Sequence, residues 1–228
     1  MRNRLVFIAI FSSLVLLLSL GGCSNPSEPG TKAPSLLLVR ASPENVLADL
    51  KTIYNNRSNI VYTSKDTGFW VEKYRELFHP DPFVFRFYFE VSDVPYCFPD
   101  GWWGIEDEVA SFDSLLNVWA GDIELSWAME PSEPDQRVLP DSSGLLHPGW
   151  KHIRVTSYLL DLTGGENIYR AMGMADFYFG PDPRNPKLWV ITEWQDRMSV
   201  GFVEGLDSAG EPLSWGRIKA AFRHATCR

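Results

Sequence analysis

Three stretches decide the fold of this chain: HIRVTSYLLDL (152–162), YRAMGMADFYF (169–179) and LWVITEWQ (188–195). Each is rich in β-branched and aromatic residues and is long enough to cross a sheet. Gly164-Gly165 separates the first two, and Pro181-Asp182-Pro183-Arg184-Asn185-Pro186 separates the second pair. Both punctuations are too short for a crossover helix, so consecutive strands must return antiparallel through hairpins.

Working outward, helices come first. Ser42 is a good N-cap and Pro43 suits the first helical position. Val46, Leu47, Leu50, Ile53 and Tyr54 then recur at helical spacing up to Asn55-Asn56. A second amphipathic helix is predicted from about Phe69 to Phe78, ended by His79-Pro80-Asp81-Pro82, because neither proline continues the ladder. Phe83 to Val91 reads as a strand, and Asp93 to Gly104 as a loop carrying the pair Trp102-Trp103.

A third helix is predicted over Ile105 to Ala120, its first turn holding Glu106-Asp107-Glu108, where carboxylates meet the helix dipole favourably. Ile123 to Met129 alternates as a strand, 130–149 forms a long connection, and Ser214 caps a last short helix through Phe222. Helices followed by hairpin-linked strands define an α+β fold, with N-terminal helices packed in a curved antiparallel sheet.

The N-terminus carries a different signal. Arg2 and Arg4 precede an apolar run from Leu5 to Leu20, closed by Gly21-Gly22-Cys23. The run is shorter than the roughly 17–25 residues of a spanning helix and lacks a basic stop-transfer flank. The segment resembles a bacterial lipoprotein signal, which implies cleavage before Cys23, acylation of Cys23 by palmitate-like chains, and anchoring in the cell envelope. Ser24 follows the cysteine, which in a cell with two membranes points to an outer-membrane anchor facing the periplasm. On this reading residues 1–22 are a signal peptide, 23–41 the lipidated cysteine and a Pro/Ser/Gly-rich tether, and 42–228 a single domain.

Composition supports that division. Hydrophobic residues make up 45% of the chain and nine are Trp, enough for a sizeable core. The formal charge of -8 with no basic run argues against nucleic acid as a partner. With Cys23 lipidated, Cys97 and Cys227 either form one bridge in an oxidising compartment or stay as two thiols. No Cys/His spacing suits a metal, and no phosphate loop, dinucleotide fingerprint or nucleophile elbow is present, so no cofactor is expected.

The opening helix ending in Tyr54-Asn55-Asn56-Arg57, the passage from Tyr74 through His79-Pro80-Asp81-Pro82 to Phe85, and the closing Trp189-Val190-Ile191-Thr192-Glu193-Trp194-Gln195-Asp196 together resemble the nuclear transport factor 2-like (SnoaL-like) superfamily. The resemblance spans most of Ser42 to Asp196 and implies a cone-shaped sheet around the helices with an apolar pocket. It also implies functions from isomerisation and dehydration to ligand binding and protein association. Carried over by position, it puts Leu50 where isomerases hold an oxyanion-binding Tyr and Arg86 where they hold a carboxylate base. That disfavours proton abstraction beside a ketone.

Three residues remain as candidates for acid–base chemistry: His152 with Asp176 or Glu193. Strand parity decides whether Asp176 meets the pocket or the outside. Asp196, at the end of the last strand, is expected to pair with an Arg. Trp102 and Trp103, least explained by core formation, are the candidate ligand or partner surface. The function expected is non-catalytic binding of a small apolar ligand or an envelope protein, with a pocket hydro-lyase or isomerase as the alternative. The membrane, through Cys23, is a partner, and a homodimer is compatible with the class.

Overall fold

The computed structural model describes residues 37–56, 64–139, 144–164, 167–198 and 213–223. The signal-like segment, Cys23, Cys227 and most of the tether lie outside them. Order begins before Ser42. Arg40, at a φ of 35°, is held in this unusual conformation by its surroundings. Its carbonyl accepts from Trp189 N at 2.9 Å, its own N–H points to Asp49, and its guanidinium bonds Asp182 at 2.8 Å.

Helix α1 (Pro43–Asn55) starts as its sequence dictates: Ser42 is extended and its Oγ accepts from Asn45 N at 3.3 Å. The stripe Val46, Leu47, Leu50, Ile53 and Tyr54 is buried. Helix α2 (Ser64–Arg75) begins a turn earlier than expected, because Ser64 to Gly68 contribute little to an apolar stripe and so left no periodic signal. Helix α3 (Ile105–Val118) and helix α4 (Trp215–Phe222) complete the α-helices among the described residues, beside a short 3-10 turn at Val91–Asp93.

Strands β1 (Arg86–Tyr88), β2 (Trp102–Trp103), β3 (Asp122–Met129), β4 (Glu133–Pro134), β5 (Lys151–Gly164), β6 (Asn167–Asp182) and β7 (Asn185–Met198) form one sheet. Its order is β2-β1-β7-β6-β5-β3, with β4 also on β5. Pairing is antiparallel except between β1 and β7, which run parallel. That exception is geometrically allowed because the whole chain between them serves as the crossover. The Phe83–Val91 strand is shorter than expected, and Trp102-Trp103 forms an edge strand instead of a loop.

Register shifts at Val155/Tyr158 and Tyr178/Phe179 bend the long strands, as bulges do, and curve the sheet around the helices. They also reset parity. Ile153 and Val155 face the helices, and after the bulge Tyr158, Leu160 and Leu162 do. Against this concave face Tyr54, Tyr74 and Phe112 form an aromatic cluster, with Tyr74 and Phe112 stacked at 3.9 Å. No helix among the described residues is long and apolar enough to cross a membrane.

Candidate functional site

The concave interior, where the resemblance places a pocket, is filled by the chain's own α4. Ser214 caps this helix through Arg217 N at 3.0 Å, and Leu213 locks onto β6 through Met172 N and Arg170 O. Trp215, Ile218 and Lys219 share one helical face, and that face points inward. The Trp215 ring meets Trp194, Tyr158, Tyr54 and Trp127. The space left between Tyr74, Phe112, Trp215 and Lys219 does not admit a water molecule.

Polar groups pin the helix in place. Asp196 accepts from Tyr158 Oη at 2.8 Å and from Gly216 N at 2.6 Å, while Tyr158 Oη accepts from Trp215 N at 2.9 Å. A Cβ on Gly216 would stand 2.9 Å from the Phe89 ring and 3.1 Å from Asp196 Oδ2, so only glycine permits this approach. Burial pushes the Asp196 carboxyl up to about 6, against the opposing pull of its donors. Asp196 therefore has a backbone amide and a tyrosine as partners, not the Arg expected.

Lys219 Nζ lies 2.5 Å from Glu108 Oε1 and 3.2 Å from the centroid of the Trp194 ring. Burial drives Lys219 down to about 8 even with Glu108 beside it. Glu108 also accepts from Tyr74 Oη and, at 2.9 Å, from Trp103 Nε1. The first turn of α3 thus divides. Glu106 and Asp107 pair with Arg75 and Arg223 near the surface, while Glu108 is fully buried.

The sequence-derived candidates fall on the opposite, outer face of the sheet. His152 Nε2 is 2.8 Å from Asp176 Oδ1, and its Nδ1 is 3.2 Å from Glu133 Oε1. Burial opposes charge on His152, but its hydrogen bonds to the two carboxylates outweigh it and hold the imidazole above its ordinary pKa. Asp176 is in turn engaged by Arg154 at 3.1 Å and Arg197 at 2.8 Å. These bonds keep it below the usual carboxylate range in spite of burial. A carboxylate held by two guanidinium groups and an imidazole is a structural anchor and a poor base. Glu193 is committed to Arg137 at 2.9 Å and to Gln195. No His, Cys, Asp and Glu side chains among the described residues are grouped to hold a metal.

Cross-strand register joins these residues into one row. Arg154 lies opposite Asp176 and His152 opposite Tyr178; Tyr178 and Asp176 lie opposite Glu193 and Gln195. Glu193 and Gln195 flank Arg86 and Tyr88, and Tyr88 flanks Trp102. Trp102 stays on this face, with the Arg86 guanidinium 4.0 Å over its ring. Trp103 does not: alternation turns it into the core at 1% exposure, against Phe87, Phe89 and Phe98, so it is not part of any surface.

Two openings lie along the row. A shallow cleft of about 270 Å³ is bordered by Glu133, Arg137, His152 and Tyr178. A larger groove of about 580 Å³ runs between Arg86, Tyr88 and Gln195 on the sheet and Phe83, Leu146 and Trp150 on its rim. Arg137 divides the two, 3.6 Å over the Tyr178 ring and clamped by Asp135 and Glu193. His147 stacks on Trp150 at 3.7 Å. The signal that could have found the groove was the parity shared by Arg86 and Tyr88 with Trp102, opposite to Phe87 and Trp103.

Cys97 is disulfide-bonded, and its partner lies outside the described residues. No protein-family model matches the chain, and no curated protein matches it. Among solved structures it is similar to an NTF-2-like protein of unknown function from Shewanella oneidensis MR-1, with 12% identity, 68% of this chain and 98% of that one covered, and a TM-score of 0.38. It is also similar to an NTF2-like superfamily protein from Salmonella enterica serovar Typhimurium LT2, with 11% identity, 70% and 99% coverage, and a TM-score of 0.38.

Proposed function

We propose that this chain is a lipid-anchored envelope protein, held through acylated Cys23, whose domain binds a ligand or partner without catalysis on the outer face of its sheet. The observation that carries this reading is the seating of Trp215 and Lys219 in the concave interior. An enzyme of the hydro-lyase or isomerase kind needs an open site with convergent acid and base, and here that volume is occupied. On the outer face His152 and Asp176 do meet, yet the arginines that saturate Asp176 remove its basicity.

Two arms test the proposal. The intact mass of membrane-extracted protein is expected to show acylation at Cys23, with non-reducing peptide mapping pairing Cys97 with Cys227. A soluble chain with an unmodified N-terminus overturns the anchor. Backbone NMR with aromatic fragments is expected to perturb Arg86, Tyr88 and Gln195. Perturbation centred on Tyr54, Tyr74 and Trp215 overturns the outer-face reading.

A further inference from the structure

We infer that the 580 Å³ groove is a site for a small organic carboxylate with an apolar body, received by the Arg86 guanidinium. The inference rests on the outer face being the binding face and adds the chemistry of what binds there. Four observations carry it.

First, the charges of the groove are unequally committed. Arg137 is satisfied by Asp135 and Glu193, and Glu193 is further occupied by Gln195. Although Glu193 sits beside Arg86 in the register, no carboxylate among the described residues lies within salt-bridge reach of Arg86. A guanidinium that is half-buried and lacks an acidic partner is the natural counterpart of an incoming anion.

Second, Arg86 is already oriented. Its planar group lies on Trp102 at 4.0 Å, and Tyr88 stands two residues along the same strand face. Stacking uses the π face of the guanidinium and leaves its in-plane N–H groups for a second planar group, which suits a carboxylate. Third, the opposite wall is apolar. Phe83, Val84, Leu146 and Trp150 border a space of drug-sized volume, so the ligand's body is apolar while its head is charged. Fourth, among the described residues the groove has no second free cation. Burial and the nearby Arg137 hold His147 below its ordinary pKa, so it is neutral at pH 7. One available positive charge selects a monoanion.

The test uses the full-length mature protein, 4-phenylbutyrate and its uncharged primary amide, followed by titration calorimetry and NMR. The carboxylate is expected to bind saturably and to shift Arg86, Tyr88 and Gln195, with the amide at least about tenfold weaker. Arg86→Gln is expected to abolish the preference for the carboxylate. Arg86→Lys, which keeps the charge and loses the fork, is expected to weaken carboxylate binding about tenfold and amide binding little. Circular dichroism and thermal midpoints confirm that both variants fold; if Arg86→Gln does not, the Arg86→Lys comparison decides.

Equal binding of acid and amide, or an Arg86→Gln variant that still prefers the acid, overturns the anion site and leaves the outer-face reading standing. Binding that maps to Trp215 and Tyr74 overturns both. No saturable carboxylate binding below about 10 mM overturns the site outright.

Discussion

Lys219 on α4 and Glu108 on α3 meet at 2.5 Å with both side chains withdrawn from solvent. Such a pair is sensitive to the loss of one partner, which strands the other charge in a low dielectric. Lys219→Ala is expected to lower unfolding free energy by about 3–5 kcal/mol. The double replacement Lys219→Met with Glu108→Gln, which removes both charges but keeps an acceptor for Tyr74 Oη and Trp103 Nε1, should recover most of that loss. Urea denaturation of the two variants measures this, and equal loss in both would show that packing, not charge, dominates.

Trp215→Ala should leave a cavity where the indole stood. A loss of about 3–5 kcal/mol is expected for deleting so large a buried side chain. Because the cavity is walled by Trp194, Tyr158 and Tyr54, added indole is expected to raise the melting temperature of the variant and not of the parent. Identical responses of the two proteins to indole would contradict the seating of Trp215.

Asp196 gives stability an inverted pH dependence. Its folded pKa of about 6 lies above its ordinary 3.8, so the native state holds the proton more tightly than the unfolded chain. Its contribution is therefore greatest below about pH 4 and is lost as pH rises through 6, by up to about 3 kcal/mol. Asp196→Asn should flatten the stability profile between those limits relative to the parent. Parallel profiles would show that Asp196 titrates normally.

The histidines are expected to separate in an imidazole NMR titration. Glu133 and Asp176 hold His152 above 6.5, while burial holds His79 and His147 below it. Since the His152 shift is upward, its contribution to stability is complete below pH 6.5 and disappears as pH rises through the folded value. Asp176→Asn should bring the His152 midpoint down toward the others; an unmoved midpoint would exclude the 2.8 Å contact as its cause.

How much of this was legible in the sequence differs by residue. The N-cap at Ser42 and the hairpins at Gly164-Gly165 and Pro181–Pro186 depend on local backbone chemistry, and the structure follows them. Asp176 depended on parity, and the bulges in β5 and β6 move parity by amounts that no local rule supplies. Trp102-Trp103 read as a loop because a two-residue strand has no period to detect. Lys219 escaped attention because a lone charge on a helix is normally solvated, and Glu108 read with Glu106 and Asp107 as an acidic first turn that the helix dipole explains. Yet Glu108 stands at helical spacing with Ile105 and Phe112, and Lys219 with Trp215. Opposite charges embedded in two apolar stripes were a sign, readable in retrospect, that the stripes face each other.

Helix α4 follows in the chain every described strand of the sheet it fills. A chain delivered N-terminus first, at the ribosome or across a membrane, exposes the strands before the helix that covers them. During that interval Trp194, Tyr158 and Phe177 line an uncovered apolar hollow, and Asp196 waits without the amide it will later receive. The emerging chain thus carries exposed apolar surface, the kind that promotes aggregation, until α4 arrives to cover it.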